Sequence, residues 1–518
     1  MTAADQQTFD VVLLGGGPAG SAAARMLASW GHSVVVLSRG NVAALHGDAL
    51  RGSHRDRLRE SMAESLPPSA AKLLERVGLK DAVDAAGFVR STGNSVRWGA
   101  DGVRAELFGD GGLGWQVRRD RFDEVLLAAA RNAGATVRNN ASVRRVSDAA
   151  ADGTREVQFD YDGTHSVRAR WVLDCTGRAG VIARRGWRSG DAAARTLAIV
   201  GVWEREPPWG LGDETHTVVE SYDAGWAWSI PVSPRQRYVT MMVDPAHTRI
   251  GSGAELLATY RAALDRTSAI RDLVMHATLL GAPWARESSP YGFSRAGEEG
   301  MLLVGDAASF VDPLSSFGVK KALASAWLAS IVTRAALRDG STLSPALQLY
   351  ELREREMHAE LQHQAAALAR DAATLHDSGF WSDRAGITND AGNDLASVSA
   401  TRAAFDAMRD LPRVAFQRAP SLEFVSLALV SGTDIVVVPH LLARDQHVAT
   451  PRGVRFIRNV DVVILIELAD SVEGVPELFE AYLRRTERSI ELSDFLVALS
   501  TLVAIGALAL LDSPRATP

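Results

Sequence analysis

The chain of 518 residues has one cysteine, Cys175, and four lysines (Lys72, Lys80, Lys320 and Lys321) among its 56 basic residues. A single thiol excludes a disulfide framework and a cysteine-rich metal centre. The histidines are scattered, and His358 and His363 stand five apart, a spacing that splays them around a helix, so no metal site is expected. Basic charge is not in excess: the formal net charge is −6, whereas a nucleic-acid binder needs a concentrated basic face. No apolar run is long enough for a membrane span of roughly 20 residues. Leu496 to Leu511 falls short of that length and is interrupted by Ser500, Thr501 and Gly506. The first apolar run, "FDVVLLGGG", flows into a glycine turn rather than a cleavage site, so a cytoplasmic location is expected.

What is present is an ordinary globular composition, 47% hydrophobic and 23% charged, on a chain long enough for two or three cores. "VVLLGGGPAGSAAARMLASWGHSVVVLSR" predicts strand, tight turn, small-residue helix and second buried strand. Gly15, Gly17 and Gly20 fit G-x-G-x-x-G, with Pro18 and Ala19 opening the helix. Glycine is needed there because the backbone turns sharply and then lies against a pyrophosphate at the positive end of a helix. The second strand of such units normally ends in an acidic residue for the ribose hydroxyls, and here it ends in Ser38 and Arg39. A serine offers one hydrogen bond, and an arginine offers stacking on adenine or a phosphate contact.

Two later stretches, "RWVLDCTGRAG" and "EGMLLVGDAASFVDPLSSFGVKKALASAWLAS", each carry a strand into a turn. "GWAWSIPVS", residues 225–233, is W-x-W-x-I-P, and "AESLPPSAAKLLERVGL" is close to G-E-S-x-x-P with Ala63 in place of the first glycine. On these motifs residues 8 to 340 resemble the flavin-dependent halogenase and FAD-dependent aromatic monooxygenase superfamily. The resemblance implies an α/β fold, the Rossmann-like FAD-binding fold of group A flavin monooxygenases and halogenases, with an antiparallel substrate sheet and a mainly helical C-terminal part. It implies FAD, with Gly305 and Asp306 at the ribityl and pyrophosphate region and Pro313, Gly318 and Val319 at the helix start facing the flavin. It also makes Arg119, in "RRDRFD", a flavin-contacting arginine, and sets Trp226 and Trp228 along the passage to the substrate; Trp98 is a further candidate for an aromatic pocket.

The resemblance breaks at one point. Halogenases of this family use C4a-hydroperoxyflavin to oxidise halide and relay the product through a lysine, commonly in a segment entered by "GFxxK". Here the segment is "GFVRSTGNSVRWG", which places Ser91 at the lysine position with Arg90 beside it. Serine has no amine, and a guanidinium stays protonated where a desolvated lysine can lose its proton. The turn Asp312 to Gly318 also carries a serine, Ser315, where tryptophan halogenases tend to have a glutamate. The pattern is similar to a lysine-lacking subgroup that oxygenates aromatics, some of them within a protein during cofactor maturation. The expected function is therefore hydroxylation of an electron-rich indole- or phenol-like substrate by a tailoring or maturation enzyme. Halogenation through an atypical relay residue, and a dehydrogenase or reductase without oxygen insertion, stay open as alternatives. The substrate is free, carrier-bound or within a protein, and reduced flavin comes from a separate reductase or from NAD(P)H.

Five regions are expected. Residues 1–196 form the first FAD-binding part, with a substrate-side segment at about 85–115, and 286–340 form the second. Residues 197–285, with runs such as "RYVTMMVDP", form a covering sheet, 341–419 a helical region, and 420–518 a helical, winged-helix-like module. The stretch from 375 to 394 is turn-rich and predicts a loop.

Overall fold

The computed structural model describes residues 7–40, 61–98, 102–190, 195–315, 317–386, 395–411, 414–443 and 452–512. It divides into two units, Met1–Asn389 and Asp390–Pro518.

In the first unit Thr8–Leu14 lies at the centre of a parallel sheet, between Val34–Ser38 and Thr164–Asp174. Met301–Leu303 extends the sheet on one side and Thr136–Asn139 on the other, both parallel. The run Val11 to Leu14 has no polar alternation because the sheet is buried on both faces. Helix Pro18–Ser29 packs against Arg119–Asn132 and Gly318–Arg338 on one face. Its small residues, Ala22, Ala23 and Ala24, allow that close approach and are fully buried.

A second sheet is built mainly of antiparallel strands. Its central order is Leu197–Glu204, Gln236–Val243, Gly225–Pro231 and Thr217–Tyr222, continued by Gly93–Arg97, and Trp284–Glu287 pairs with Leu197–Glu204. Here the residue pattern does alternate, and the two faces differ. Ile199, Val218, Ala227 and Met241 pack against two helices, Ala254–Asp265 and Ala269–Val274, that the alternation of residues 197–285 does not reveal. The opposite face carries Ala198, Trp226 and Met242. A small third sheet joins Ala63–Leu66 and Val89–Ser91 to Gly114–Arg118.

Within the stretch predicted as a loop, Gly379–Ala385 is helical, with Phe380 and Trp381 buried and the Trp381 indole N–H donating to Tyr222 O at 2.8 Å. Residues 387–394 of that stretch lie outside the described residues.

The second unit has its own core, in which Leu465, Leu478, Tyr482, Phe495, Leu499 and Leu502 meet. An antiparallel sheet of Phe424–Ser431, Asp434–Ala443 and Arg452–Val454 precedes three consecutive helices, Val462–Ala469, Val475–Thr486 and Leu492–Ala504, and Leu508–Asp512 pairs with Val414–Arg418. Asp461 caps the first of these helices by accepting from Val463 N and Ile464 N. Among the described residues, no helix is long and apolar enough to cross a membrane.

One buried carboxylate organises the edge where the first sheet's strands end. Asp174, at the end of Thr164–Asp174, accepts from Thr176 N, Thr176 Oγ1, Ile182 N and Ala183 N. It thereby folds "TGRAG" back across the strand ends. Hydrogen bonds to a charged acceptor are worth about 1.5–3 kcal/mol each, and they act together here. Asp174→Ala is expected to lower the urea midpoint of the first unit and to cost about 3 kcal/mol or more, whereas Asp174→Asn, which keeps part of the acceptor set, should cost less. Urea unfolding followed by tryptophan fluorescence checks the order.

Candidate active site

Where the strands of the first sheet end, the backbone is tightly packed. A Cβ on Gly15, whose φ is +100°, would lie 2.5 Å from Cys175 O, and one on Gly20 would lie 1.9 Å from Gly15 O. Nothing larger than glycine fits either contact. Gly17 caps helix Pro18–Ser29 without any side-chain hydrogen bond, and no acidic residue occupies the first turn. The first N–H groups and the positive end of the helix therefore stay available for an anion. Cys175 is buried, and burial pushes its thiol well up, which makes it packing and not a reactive group.

A cavity of about 1250 Å³ opens at this helix end. Most ligand pockets hold about 300–1,000 Å³, so this one has room for more than a single small molecule. Gly15, Gly17, Pro18 and Ala19 form one end of its wall together with Ser38 and Arg39. Asp306, Pro313, Gly318 and Val319 form its middle. Gly20 and Gly305 shape the wall from behind, Gly305 at a φ of +64° with its N–H donating to Ser325 Oγ at 2.8 Å. A glycine cradle, an uncapped helix end and a cavity of this volume fit a dinucleotide.

Arg119 also lines the cavity, clamped between two carboxylates. Its Nη1 meets Glu64 Oε1 at 2.5 Å, and its Nε and Nη2 meet Asp123 at 2.9 and 3.0 Å. Burial pushes both carboxyls up while the guanidinium pulls them down. Burial also works against the charge of Arg119, but Asp123 and Glu64 outweigh it and raise its pKa. Arg121 is exposed and paired with Glu124 at 2.8 Å. The G-E-S-x-x-P motif thus supplies Glu64 as a clamp, a role its spacing does not reveal.

The far end of the cavity is built by the second sheet. Because side chains alternate along a strand, Trp226, Trp228 and Ile230 share the cavity face while Ala227 and Ser229 turn away. The two indoles lie 4.6 Å apart, centroid to centroid. Asp312 lies beside the Trp226 indole N–H on the same cavity wall, buried, with an oxygen accepting from Leu314 N at 3.1 Å. Burial pushes its carboxyl up, while Arg384, the Leu314 N–H and the nearby Trp226 indole N–H pull it down. The Trp226 N–H is buried and closes no hydrogen bond of good geometry.

The remaining sequence candidates sit elsewhere. Trp98 is not part of the cavity wall: its indole N–H donates to Leu368 O at 3.1 Å, and its ring meets Trp381 edge-on at 5.4 Å. Ser91 is fully buried, also off the wall, and its hydroxyl donates to Gly93 O at 3.0 Å. Arg90 lies over the Trp115 ring and donates to Asp84, Leu113 O and Gly114 O. Ser315 closes the turn Pro313–Ser315, and its side chain lies outside the described residues. Lys72 is exposed, and Lys80 pairs with Asp84 at 2.6 Å. Lys320 donates to Ser69 Oγ at 2.9 Å, above the Phe317 ring. Lys321 alone of the four lysines lines the cavity, and its ammonium is directed at oxygens of the turn that holds Asp306.

Removing the cation from the clamp leaves two carboxylates, Glu64 and Asp123, without their shared partner on the cavity wall. Breaking a buried ion pair costs about 3–5 kcal/mol, and partial exposure reduces this. Arg119→Met is expected to weaken FAD binding by about 2 kcal/mol, roughly thirtyfold in Kd, as read by titrating the apoprotein with FAD.

The FAD binding domain model matches residues 8–359. Tryptophan 2-halogenase of Chondromyces crocatus is 28% identical over 358 residues, 66% of this chain and 64% of the relative, so the chain spans just under two thirds of that protein. Flavin-dependent halogenase armH3 of Armillaria mellea is 26% identical over 371 residues, covering 64% of this chain and 68% of the relative. Among solved structures, the flavin-dependent halogenase CmlS superposes with a TM-score of 0.74 at 23% identity, covering 98% of this chain and 96% of its own. The peptidyl tryptophan dihydroxylase QhpG superposes with a TM-score of 0.66 at 20% identity, covering 96% and 99%. The chain belongs to the FAD-binding domain family, carries the fold of the flavin-dependent halogenases, and takes FAD as its cofactor.

Proposed function

We propose that this chain is an FAD-dependent oxygenase that hydroxylates an electron-rich aromatic ring, indole- or phenol-like. The observation that carries the reading is the state of the four lysines and of Ser91. Among the described residues no uncommitted ammonium faces the cavity: Lys72, Lys80 and Lys320 lie off its wall, and Lys321 is bound to three oxygens. An electrophilic halogen species released there would find no amine to capture it.

The chemistry that bound FAD supplies is activation of dioxygen to an electrophilic oxygen. The chain's residues do the rest. Trp226 and Trp228 form a flat, apolar wall against which a ring can stack, and such stacking is worth about 0.5–1.5 kcal/mol beyond area burial. Phe310, Pro313 and Leu314 add further apolar surface to the same cavity. Asp312 accepts the N–H or O–H proton of the ring, which makes the ring carbon a better nucleophile. Burial favours that role, since a carboxyl with a raised pKa is a stronger base once ionised.

Halogenation is the second reading, favoured by the relatives, several of which are halogenases. Product mass separates the two. With reduced FAD, oxygen and bromide, and with indole, tryptophan, a tryptophan-containing peptide or phenol as acceptor, a gain of one oxygen is expected. A gain of bromine would replace the first reading with the second. Asp312→Asn is expected to lower kcat about a hundredfold and leave FAD Kd within twofold. Because the base works ionised, wild-type kcat should rise with pH through the raised pKa of Asp312, and this acidic limb should vanish in the variant. A limb that persists in Asp312→Asn would assign the proton to another group.

A further inference from the structure

Lys321 is nearly sealed from solvent, with 3% of its side chain exposed. Taking an ammonium out of water costs several kcal/mol unless oxygens replace the water. Three do. Its Nζ donates to Gly305 O at 3.0 Å and to Ser309 O, and meets Asp306 Oδ1 at 3.4 Å. All three belong to the turn that follows strand Met301–Leu303, and Asp306 is its cavity-facing carboxylate. Two more groups bolt the turn from behind. Ser325, one helical turn further along from Lys321, accepts from Gly305 N, and Tyr350 donates to Leu303 O at 2.6 Å.

Glu354 lies one turn beyond Tyr350 on helix Leu343–Ala373 and is buried. Burial pushes its carboxyl up to about 7, against the pull of the Lys321 charge, and its Oε2 has no hydrogen-bond partner. In a chain that uses arginine almost everywhere, lysine suits this position for a geometric reason. An ammonium is a compact point charge whose three rotatable donors suit oxygens grouped closely around one point.

We propose that Lys321 is the positioning residue of the FAD-binding turn: its ammonium gathers the Gly305 and Ser309 carbonyls and the Asp306 carboxylate into one shape, so that the turn is set before FAD arrives. The inference rests on the assignment of FAD to this cavity and is independent of whether oxygen or halogen is transferred. A merely structural lysine and a positioning lysine differ in what a charge-free replacement restores. FAD Kd is measured by flavin fluorescence during titration of apoprotein, and Tm is measured on the same apoprotein.

Lys321→Met should lower Tm, because three buried oxygens lose their donor and Glu354 loses the nearby positive charge that offsets its burial, and should raise FAD Kd at least tenfold. Glu354→Gln should leave FAD Kd within twofold. The double variant Lys321→Met/Glu354→Gln, which removes both charges, should recover most of the lost Tm while FAD Kd stays at least tenfold raised. Lys321→Arg should keep the charge and still bind FAD at least tenfold more weakly. A double variant that binds FAD within twofold of wild type would overturn the proposal and reduce Lys321 to a partner of Glu354. A double variant that fails to fold would also overturn it, by making the lysine a folding residue.

Discussion

Everything in the site follows from the contact between Gly15, Gly20 and the carbonyl of Cys175. Parallel strands buried on both faces must deliver their ends to the same edge, and a ligand can reach that edge only if the chain leaves it without side chains in the way. The turn after Thr8–Leu14 passes so near Cys175 O and back onto its own Gly15 carbonyl that a single methyl would collide. The helix start is held at the strand ends as a result, and its free N–H groups, the Arg119 clamp and the Asp306 turn all face one elongated space.

The second sheet finishes that space by periodicity. With one face sealed by helices Ala254–Asp265 and Ala269–Val274, only the other can meet the cavity, and W-x-W-x-I-P puts its two indoles and the isoleucine there. A one-residue slip in register would turn Ala227 and Ser229 inward and remove the aromatic wall. Asp312, which follows strand Met301–Leu303 in the chain, meets this wall at the Trp226 indole N–H, so the two sheets are coupled at that point.

These features were unequally legible. Gly15 and Gly20 show in the sequence because close backbone approach admits only one residue type. The indole face shows because alternation marks it. The Ser91 position is found by motif spacing, but the direction of its hydroxyl is set by pairing of Val89–Ser91 with Gly114–Gln116, which spacing does not carry. Trp98, close by in sequence, looks equivalent to Trp226 until the fold sends it to Trp381 and the Leu368 carbonyl. Helix Gly379–Ala385 is hidden because its glycine, serine and aspartate resemble loop chemistry, and buried Phe380 and Trp381 override that propensity. Lys321 was visible only as one of four scarce lysines. Its partners are mostly backbone carbonyls, which every residue carries and which leave no signature.

The position of Lys321 bears on what the cavity can do. An amine that captures an electrophile does so with a lone pair, and it must swing between cofactor and substrate to pass the electrophile on. Lys321 has its N–H groups turned to Gly305 O, Ser309 O and Asp306, and sits at the turn, away from the indole wall. Freeing it would unfasten Asp306, a carboxylate of the cavity wall, and remove the positive charge that offsets the burial of Glu354. Clamping the turn and relaying a halogen are therefore mutually exclusive uses of one side chain. Ser91 is buried on its own strand and Arg90 is held over Trp115, so neither side chain reaches the cavity wall.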